Sequence, residues 1–462
     1  MDKYDLVVIG SGPGGYVAAI RAAQRGLTTA LIEKENIGGV CLNWGCIPTK
    51  AIIRSVNTLR DLKGAGELGI EVGEPTIDMG KIIARSRDVA DRLSKGVVFL
   101  LKKNNVTVYE GFAQVLADKR IQIVHHDDKE VIETDHIIIA TGAKAKTLPH
   151  IPIDGKNVIS SREALELTEL PESMAVIGAG AIGVEFAYIY KHLGVDVTII
   201  EALDVLLPNE DAEISKEVLK NFKKQKIKAL VSTKVMSMEK TPEGIKLSLL
   251  GPKGESELVV DKLLSAVGVQ PNSNGIVAEE LGLELDHGFI KVNEKQETNI
   301  SGIYAIGDVA GNPCLAHKAS KEGLIAVDSI QGKDGTSLNK DHIPGCTYCE
   351  PQVASVGLTE RAAEERGIAY ETSKVHYRAI GKAIASGHID GFMKFVVDPK
   401  SKVIIGAHCI GSEATELIAE LTLAVTKGLT VHDLAETIHA HPTLSELTME
   451  TAENALGEAI HV

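Results

Sequence analysis

The chain has 462 residues, of which 44% are hydrophobic and 24% are charged, and its formal net charge is −14 at pH 7. This length predicts about two to four domains, because single cores stop growing at roughly 250–300 residues. The composition excludes a disordered or fibrous protein. An acidic chain without an evident basic patch argues against a nucleic-acid partner.

The N-terminal sequence MDKYDLVVIGSG lacks the basic region, the long apolar stretch and the cleavage site of a secretory signal peptide. No run of about 18 apolar residues occurs, which argues against a membrane-spanning helix. The six cysteines are too few and too scattered for a structural disulfide framework. We therefore predict a cytoplasmic protein outside the membrane, in which any disulfide is catalytic.

The first predicted unit is a strand, a glycine turn, a helix and a second strand, within DLVVIGSGPGGYVAAIRAAQRGLTTALIEK. Gly10, Gly12 and Gly15 form the G-x-G-x-x-G of a dinucleotide-binding turn, and Glu33 ends the second strand about 20 residues later. The glycines make the tight turn, admit a pyrophosphate to the backbone and let the helix pack closely on the strand. The carboxylate can accept hydrogen bonds from ribose hydroxyls.

The same pattern returns in SMAVIGAGAIGVEFAYIYKHLGVDVTIIEA, with Gly178, Gly180 and Gly183 followed by Glu201. The Glu201 carboxylate favours NAD over NADP because it would repel a 2′-phosphate, and no arginine occurs in the following EALDVLLP. Two dinucleotide sites in one chain predict a flavin and a nicotinamide that exchange electrons.

A cysteine pair comes after the first unit. Cys41 and Cys46 lie in GGVCLNWGCIPTK, which we predict to be a short loop beside the first nucleotide. Their spacing fits neither a C-x2-C zinc knuckle nor a C-x-x-C redox motif, and no further Cys or His cluster is near in sequence. Two interpretations stay open from these residues alone: buried free thiols, or a redox-active disulfide against a flavin.

Four stretches, GGVCLNWGCIPTK, GAGAIGVEF, GIYAIGDVAG and HAHPTLSE, occur in this order and together resemble the flavin disulfide reductase family, the pyridine nucleotide-disulfide oxidoreductases. The resemblance extends from Gly10 to Glu446. It implies an α/β fold with two Rossmann-like dinucleotide-binding domains and a C-terminal α+β dimerisation domain. It also implies FAD and NAD as cofactors, a homodimer, and no metal.

The resemblance implies a reaction as well. The expected substrate is a dihydrolipoyl group on a lysine of an acyltransferase or of a glycine cleavage carrier protein, oxidised to lipoyl with NAD. Cys41 would exchange with this dithiol, and Cys46 would face the flavin as a thiolate. Lys50, paired with Glu185, would lie near the flavin, where a cation stabilises the reduced anionic form. The alternative for these two charges is an ordinary solvated ion pair.

The catalytic base is expected in HAHPTLSE. A thiolate attacks a disulfide, so a general base is needed beside the exchanging sulfur. By resemblance this base is His441, oriented by Glu446, and both would come from the neighbouring subunit. His439 is the alternative histidine in this stretch, without an expected role.

Further positions match the family's cofactor contacts. At the flavin, Gly142 permits close backbone approach, Asp308 would hold the ribityl chain, and Ala316 would lie beside the isoalloxazine. Gly268 would lie near the nicotinamide. The remaining positions assigned to cofactor binding are Ala113 and Val235.

Four domains are predicted: an FAD-binding domain at 1–148, an NAD-binding domain at 149–275, a central segment completing the FAD site at 276–344, and an interface domain at 345–462. In the last of these, Cys346 and Cys349 form a C-x-x-C that we interpret as two packed thiols rather than a second redox or metal site.

Other activities of the family require other features. A glutathione-type reductase would need an arginine beyond Glu201, and a mercuric reductase would need a terminal cysteine pair, whereas this sequence ends in GEAIHV. A docking subunit with a purely structural flavin is the alternative from a different class.

Overall fold

The N-terminal part is built around a mixed sheet, and the computed structural model describes residues 2–333 and 337–462 of the chain. The elements of this part are, in chain order, β1 (Lys3–Ile9), α1 (Pro13–Gln24), β2 (Thr29–Glu33), α2 (Gly39–Trp44), α3 (Cys46–Gly64), α4 (Met79–Lys103), β3 (Thr107–Glu110), β4 (Phe112–Val115), β5 (Ile121–His125), β6 (Asp128–Ile139) and β7 (Ala143–Ala145).

The strand order of this sheet is β3-β2-β1-β6-β5-β4. Strands β3, β2, β1 and the end of β6 are parallel, whereas β4, β5 and the start of β6 form an antiparallel meander. The parallel strands are continuous apolar runs because helices cover their faces, as in LVVI of β1. Helix α1 presents only small residues to the sheet, which lets it pack closely.

The second part repeats this βαβ arrangement. Its elements are β8 (Val158–Ile159), α5 (Ser161–Ala164), β9 (Ser173–Ile177), α6 (Ala181–His192), β10 (Asp196–Ile200), α7 (Ala212–Lys224), β11 (Lys228–Leu230), β12 (Lys234–Thr241), β13 (Gly244–Gly251), β14 (Gly254–Val260) and β15 (Lys262–Ser265). A parallel sheet has the order β11-β10-β9-β15-β8, and a separate antiparallel sheet has the order β12-β13-β14.

The chain then returns to the first sheet. Its elements here are β16 (Val269–Pro271), β17 (Leu285–Asp286), β18 (Phe289–Ile290), β19 (Ile303–Ala305) and α8 (Ala316–Ile330). Strand β16 pairs with β7, and β19 adds to the first sheet in parallel beside β6. Helix α8 packs against α1 and brings this segment to the carboxyl edge of the first sheet.

The C-terminal part is an antiparallel sheet covered by helices. Its elements are β20 (Gly345–Thr347), β21 (Gln352–Gly357), α9 (Glu360–Glu365), β22 (Glu371–His376), α10 (Gly381–Ser386), β23 (Phe392–Val397), β24 (Ile404–Gly411), α11 (Ala414–Lys427), α12 (Val431–Ala435) and α13 (Glu446–Leu456). The strand order is β20-β21-β24-β23-β22, and α11 and α13 contribute to its apolar core. Short 3-10 turns elsewhere cover Ala65–Leu68, Glu279–Leu281, Gly307–Ala310, Lys340–His342 and Tyr377–Ala379.

The predicted fold class is confirmed: two Rossmann-like parts are followed by an α+β part. The exact domain bounds stay a prediction. In the described ranges, no helix has both the length and the apolar character needed to cross a membrane.

Candidate active site

The cysteine stretch is helical, not the loop that the sequence predicted. Cys41 lies within α2 and Cys46 is the first residue of α3, with Gly45 between the two helices at φ −145° and ψ −115°. This non-helical glycine ends one helix and starts the next. The two cysteines form a disulfide with their Cα atoms 4.8 Å apart, within the range for such bonds.

The two sulfurs have different surroundings. Cys46 is exposed at the N-terminus of a 19-residue helix, whereas Cys41 is half-buried. Free N–H groups and the helix dipole make a helix N-terminus favourable for a thiolate. Lys50 lies one turn further along the same face of this helix. On reduction, Cys46 is therefore the better placed of the two to carry negative charge.

Lys50 and Glu185 meet as predicted. The Lys50 ammonium lies 3.0 Å from both carboxylate oxygens of Glu185, which joins α3 of the first part to α6 of the second. The exposed fraction of the side chain is 32% for Lys50 and 7% for Glu185. The pair is thus largely withdrawn from water, unlike the solvated ion pair considered as the alternative.

A third residue completes this pair, and sequence reasoning missed it. The backbone N–H of Tyr348 donates to Oε1 of Glu185 at 2.9 Å, and the Lys50 ammonium lies 4.2 Å from the centre of the Tyr348 ring. The residue lies in CTYC, where only the two cysteines suggested chemistry. Both of those thiols are free, and burial raises the pKa of Cys346 to about 11.

The first glycine turn requires its glycines. Gly10 has φ +102°, and a Cβ on Gly15 would lie 1.9 Å from the Gly10 carbonyl oxygen. Nothing lies within 4 Å of a Cβ position on Gly12, so backbone is open to a pyrophosphate. Oε2 of Glu33 accepts hydrogen bonds from the N–H of Ser11 at 2.9 Å and from its hydroxyl at 2.6 Å. The turn and its acid fit a dinucleotide.

The other flavin positions gather at the same edge of the sheet. Gly142, at φ +67°, follows β6; Asp308 follows β19 in a 3-10 turn; and Ala316 begins α8. Burial raises the pKa of Asp308, and the charge of Lys318 opposes this rise. Ala113 is buried in β4. Gly142 and Asp308 follow parallel strands at their carboxyl ends, where such folds bind dinucleotides, so these two positions fit FAD, whereas this argument does not apply to Ala113 in an antiparallel strand.

The second glycine turn has the same geometry. A Cβ on Gly183 would lie 1.9 Å from the Gly178 carbonyl oxygen, and no atom lies within 4 Å of one on Gly180. Glu201 is nearly buried and accepts hydrogen bonds from two backbone N–H groups. Gly268, at φ +109°, follows β15 on the edge that the turn occupies. This set fits the dinucleotide NAD, and the remaining predicted position, Val235, is half-buried in β12.

The histidine and its orienting acid are paired. Nδ1 of His441 lies 2.8 Å from Oε1 of Glu446, the first residue of α13. Burial raises the pKa of Glu446, but hydrogen bonds from His441 and from the Thr443 N–H outweigh this effect and the pKa is lowered. An ionised carboxylate on Nδ1 leaves Nε2 as the free, basic nitrogen.

This pair faces outward. The His441 side chain is 76% exposed, and among the described residues no hydrogen bond or ion pair connects it to the cysteines. His439 differs, because its side chain is 5% exposed and its Nε2 lies 3.0 Å from Glu420. His439 therefore has a structural environment and His441 an open one.

The sequence matches the family model described as pyridine nucleotide-disulphide oxidoreductase over residues 4–323. It matches the dimerisation domain of that family over residues 343–452. The chain belongs to this family. FAD and NAD are the cofactors of the family, and both glycine turns fit them. The dimerisation domain supports the predicted homodimer.

Relatives within the family match over their whole length. Dihydrolipoyl dehydrogenase of Zymomonas mobilis is 45% identical, with 100% of this chain and 99% of the relative covered. Dihydrolipoyl dehydrogenase of Bacillus subtilis is 41% identical, with 99% of each covered. Among solved structures, LpdA from Mycobacterium tuberculosis superposes with a TM-score of 0.91 at 28% identity, covering 98% of this chain and 99% of that one.

The cysteine stretch is also held from outside, by contacts that the sequence did not predict. The guanidinium groups of Arg87 and Arg162 lie 4.7 Å and 4.3 Å from the centre of the Trp44 ring, and Trp44 is the last residue of α2. Arg87 also donates to the Asn43 carbonyl oxygen at 2.6 Å. Because Arg87 is in α4 and Arg162 in α5, both Rossmann-like parts position this stretch.

Proposed function

We propose that this chain is a dihydrolipoyl dehydrogenase, which oxidises protein-bound dihydrolipoyl groups to lipoyl with NAD as the acceptor. The full-length relatives of that name support the activity. The observation that carries the proposal is the Cys41–Cys46 disulfide, which lies at a helix N-terminus one turn from the Lys50–Glu185 pair. The first glycine turn and Glu33 would hold FAD, which would supply a two-electron carrier between the reduced cysteines and NAD.

The disulfide exchange uses this chain's own sulfurs. His441 Nε2 takes the proton of one substrate thiol, and the resulting thiolate attacks Sγ of Cys41. The Cys41–Cys46 bond breaks and Cys46 leaves as a thiolate. The second substrate thiol then attacks the substrate sulfur of the mixed disulfide, which closes the lipoyl ring and releases Cys41. Two electrons and two protons have then moved from the substrate to the protein.

Each of the other residues has a task in this scheme. The α3 N-terminus stabilises the Cys46 thiolate, and Lys50 supplies a cation where negative charge develops. Glu185 limits the motion of that cation. Glu446 keeps the proton on Nδ1 of His441, so that Nε2 is the accepting nitrogen. The glycine turns bind the pyrophosphates, and Glu33 and Glu201 bind ribose hydroxyls.

The physiological partner that we propose is a dihydrolipoyl-lysine on an acyltransferase or on a glycine cleavage carrier protein. A lipoyl-lysine arm is a flexible chain that can enter a site between two subunits. The exposure of His441 supports a site completed by a second copy, because this base has no contact to the cysteines of its own chain among the described residues. The cytoplasmic location and the four domain bounds belong to the same proposal.

An anaerobic titration with dihydrolipoamide, followed by NAD, tests the activity. We expect a long-wavelength absorbance from the Cys46 thiolate against the flavin, and then formation of NADH. Flavin absorbance that responds to neither addition would contradict the proposal.

A mixed dimer tests the placement of the base. One chain carries Cys46→Ser and the other His441→Ala, each with its own affinity tag, and both homodimers are expected to be inactive. If His441 acts on its partner's disulfide, one of the two sites in the mixed dimer is intact, and about half of the wild-type activity returns. If His441 acts within its own chain, each site has one lesion and no activity returns.

A further inference from the structure

Tyr348 connects the C-terminal part of the chain to the charged pair beside the cysteines. It lies in the turn between β20 and β21, whereas Lys50 is in α3 and Glu185 in α6. The three residues thus come from three different parts of the chain. The role proposed for Lys50 and Glu185 beside the flavin does not by itself explain why Tyr348 contacts them.

Tyr348 contacts Glu185 through its backbone N–H and Lys50 through its ring. Glu185 accepts two hydrogen bonds from the Lys50 ammonium at 3.0 Å and one from the Tyr348 N–H at 2.9 Å, so its carboxylate accepts three hydrogen bonds from two donor groups. The Tyr348 ring lies 4.2 Å from the ammonium and gives Lys50 a second neighbour besides Glu185. A cation at this distance from a ring face is attracted by the ring quadrupole.

The contact between the Tyr348 ring and the Lys50 ammonium lies where water screens charge only partly. Glu185 is 7% exposed and Lys50 is 32% exposed, so water screens the ammonium incompletely. Burial raises the pKa of Tyr348 to about 12, with smaller contributions from neighbouring Cys346 and from Glu185. The phenol therefore stays neutral at physiological pH and acts on Lys50 through its ring, not as an anion.

We propose that Tyr348 is a positioning residue, whose ring holds the Lys50 ammonium in the orientation in which it stabilises reduced flavin. This inference rests on the proposed function of Lys50. Loss of the ring leaves the ammonium tethered to Glu185 alone, free to move towards solvent. The stabilisation of negative charge on the flavin then weakens, and the flavin becomes harder to reduce.

Side-chain substitutions isolate the ring, because the backbone N–H that holds Glu185 remains in every variant. The flavin midpoint potential is measured on the holoenzyme after its disulfide has been reduced, for Tyr348→Leu, Tyr348→Phe and Lys50→Met. Tyr370→Leu is the matched control, because it makes the same substitution at a tyrosine of the C-terminal part whose hydroxyl donates to Glu364, away from Lys50 and Glu185. The pH dependence of the long-wavelength absorbance is recorded as a second signal.

We expect Tyr348→Leu to lower the equilibrium constant for flavin reduction by about three- to tenfold, where tenfold corresponds to about 30 mV. Lys50→Met should lower it further, Tyr348→Phe should keep it at the wild-type value, and Tyr370→Leu should not change it. If Lys50→Met lowers the potential and Tyr348→Leu does not, the inference is wrong and the proposed role of Lys50 stands. If Lys50→Met has no effect, both are overturned.

A fluorinated series keeps the test open if Tyr348→Leu fails to fold. Phenylalanine with increasing numbers of ring fluorines at position 348 has nearly constant shape, while its quadrupole weakens progressively. The potential should fall stepwise along the series. A potential that is constant across the series would overturn the proposal.

Discussion

The two glycine turns of this chain have the same geometry but fit different cofactors, FAD at the first turn and NAD at the second. Gly15 and Gly183 each occupy a position where a Cβ would lie 1.9 Å from a carbonyl oxygen of their own turn. Each turn is followed by a helix, a strand and an acid that accepts backbone hydrogen bonds: Glu33 is the last residue of β2, and Glu201 comes directly after β10. Backbone geometry alone would not tell which of them carries redox chemistry.

The two turns differ in the segment that comes after each acid. After Glu33 the chain forms α2 and α3, which bring the disulfide and Lys50 to the edge of the first sheet. After Glu201 it forms α7 and the antiparallel strands β12 to β14, which carry no cysteine. Each glycine turn provides a binding site for a dinucleotide. The segment that follows the acid determines whether a redox-active disulfide lies beside that site.

The largest functional difference between the two turns should appear when one sulfur of the disulfide is removed. We expect Cys46→Ser to lower dihydrolipoamide oxidation by about a thousandfold or more, because it removes the covalent exchange. Binding of NADH to the second turn should be unchanged, as measured by fluorescence titration. Wild-type turnover in this variant would contradict the disulfide mechanism.

The next largest difference should come from adding a methyl group to the third glycine of each turn, Gly15 or Gly183. Gly15→Ala should lower flavin occupancy about tenfold, whereas Gly183→Ala should keep the flavin and raise KM for NADH about tenfold, since overpacking costs roughly 1–3 kcal/mol. Absorbance of the purified protein and steady-state kinetics measure the two effects. Gly64→Ala is the control, because a Cβ there meets no atom within 4 Å.

A buried lysine of the C-terminal part forms ion pairs with the second Rossmann-like part, and its contribution to stability can be measured. The Lys394 side chain is 1% exposed and its ammonium contacts Asp211 at 2.9 Å, Glu213 at 2.8 Å and also Glu360. Burial lowers the pKa of Lys394, but hydrogen bonds to Glu213, Glu360 and Asp211 raise it above its ordinary value of 10.5. The stabilisation is therefore fully present below pH 10.5 and is lost as pH rises further.

Lys394→Met should destabilise the protein by about 3–5 kcal/mol at neutral pH, because it removes the cation from the buried carboxylate of Asp211 and from the half-buried carboxylates of Glu213 and Glu360. Their pKa values then rise, so the loss should shrink between pH 8 and pH 5 as they take up protons. Thermal unfolding at both pH values measures this change, and flavin occupancy should stay normal.

The control is Lys374→Met, which removes an ion pair to the same Glu213 at 35% side-chain exposure and should cost at most about 1 kcal/mol. Equal losses in the two variants, or a loss in Lys394→Met that does not depend on pH, would contradict the buried-charge interpretation.

The features of this chain that depend on local spacing could be predicted from its residues. Both glycine turns and their acids lie within single short stretches, so residue type and separation were sufficient to predict them. The redox role of the cysteine pair and the roles of His441 and Glu446 came from the resemblance to the family. The family could be inferred from the order of these stretches, and the family model confirms it. The apolar strands on either side of each glycine turn likewise indicated the two strand-helix-strand units.

The contacts between distant segments could not be predicted in this way. Lys50 and Glu185 are 135 residues apart, and Glu185 and Tyr348 are 163 apart, so no local pattern predicts that they meet. The helical form of the cysteine stretch was missed because α2 has only six residues and is held by Arg87 from another helix. Short helices depend on such tertiary contacts more than on the propensity of their own residues, which is why local sequence predicted a loop there.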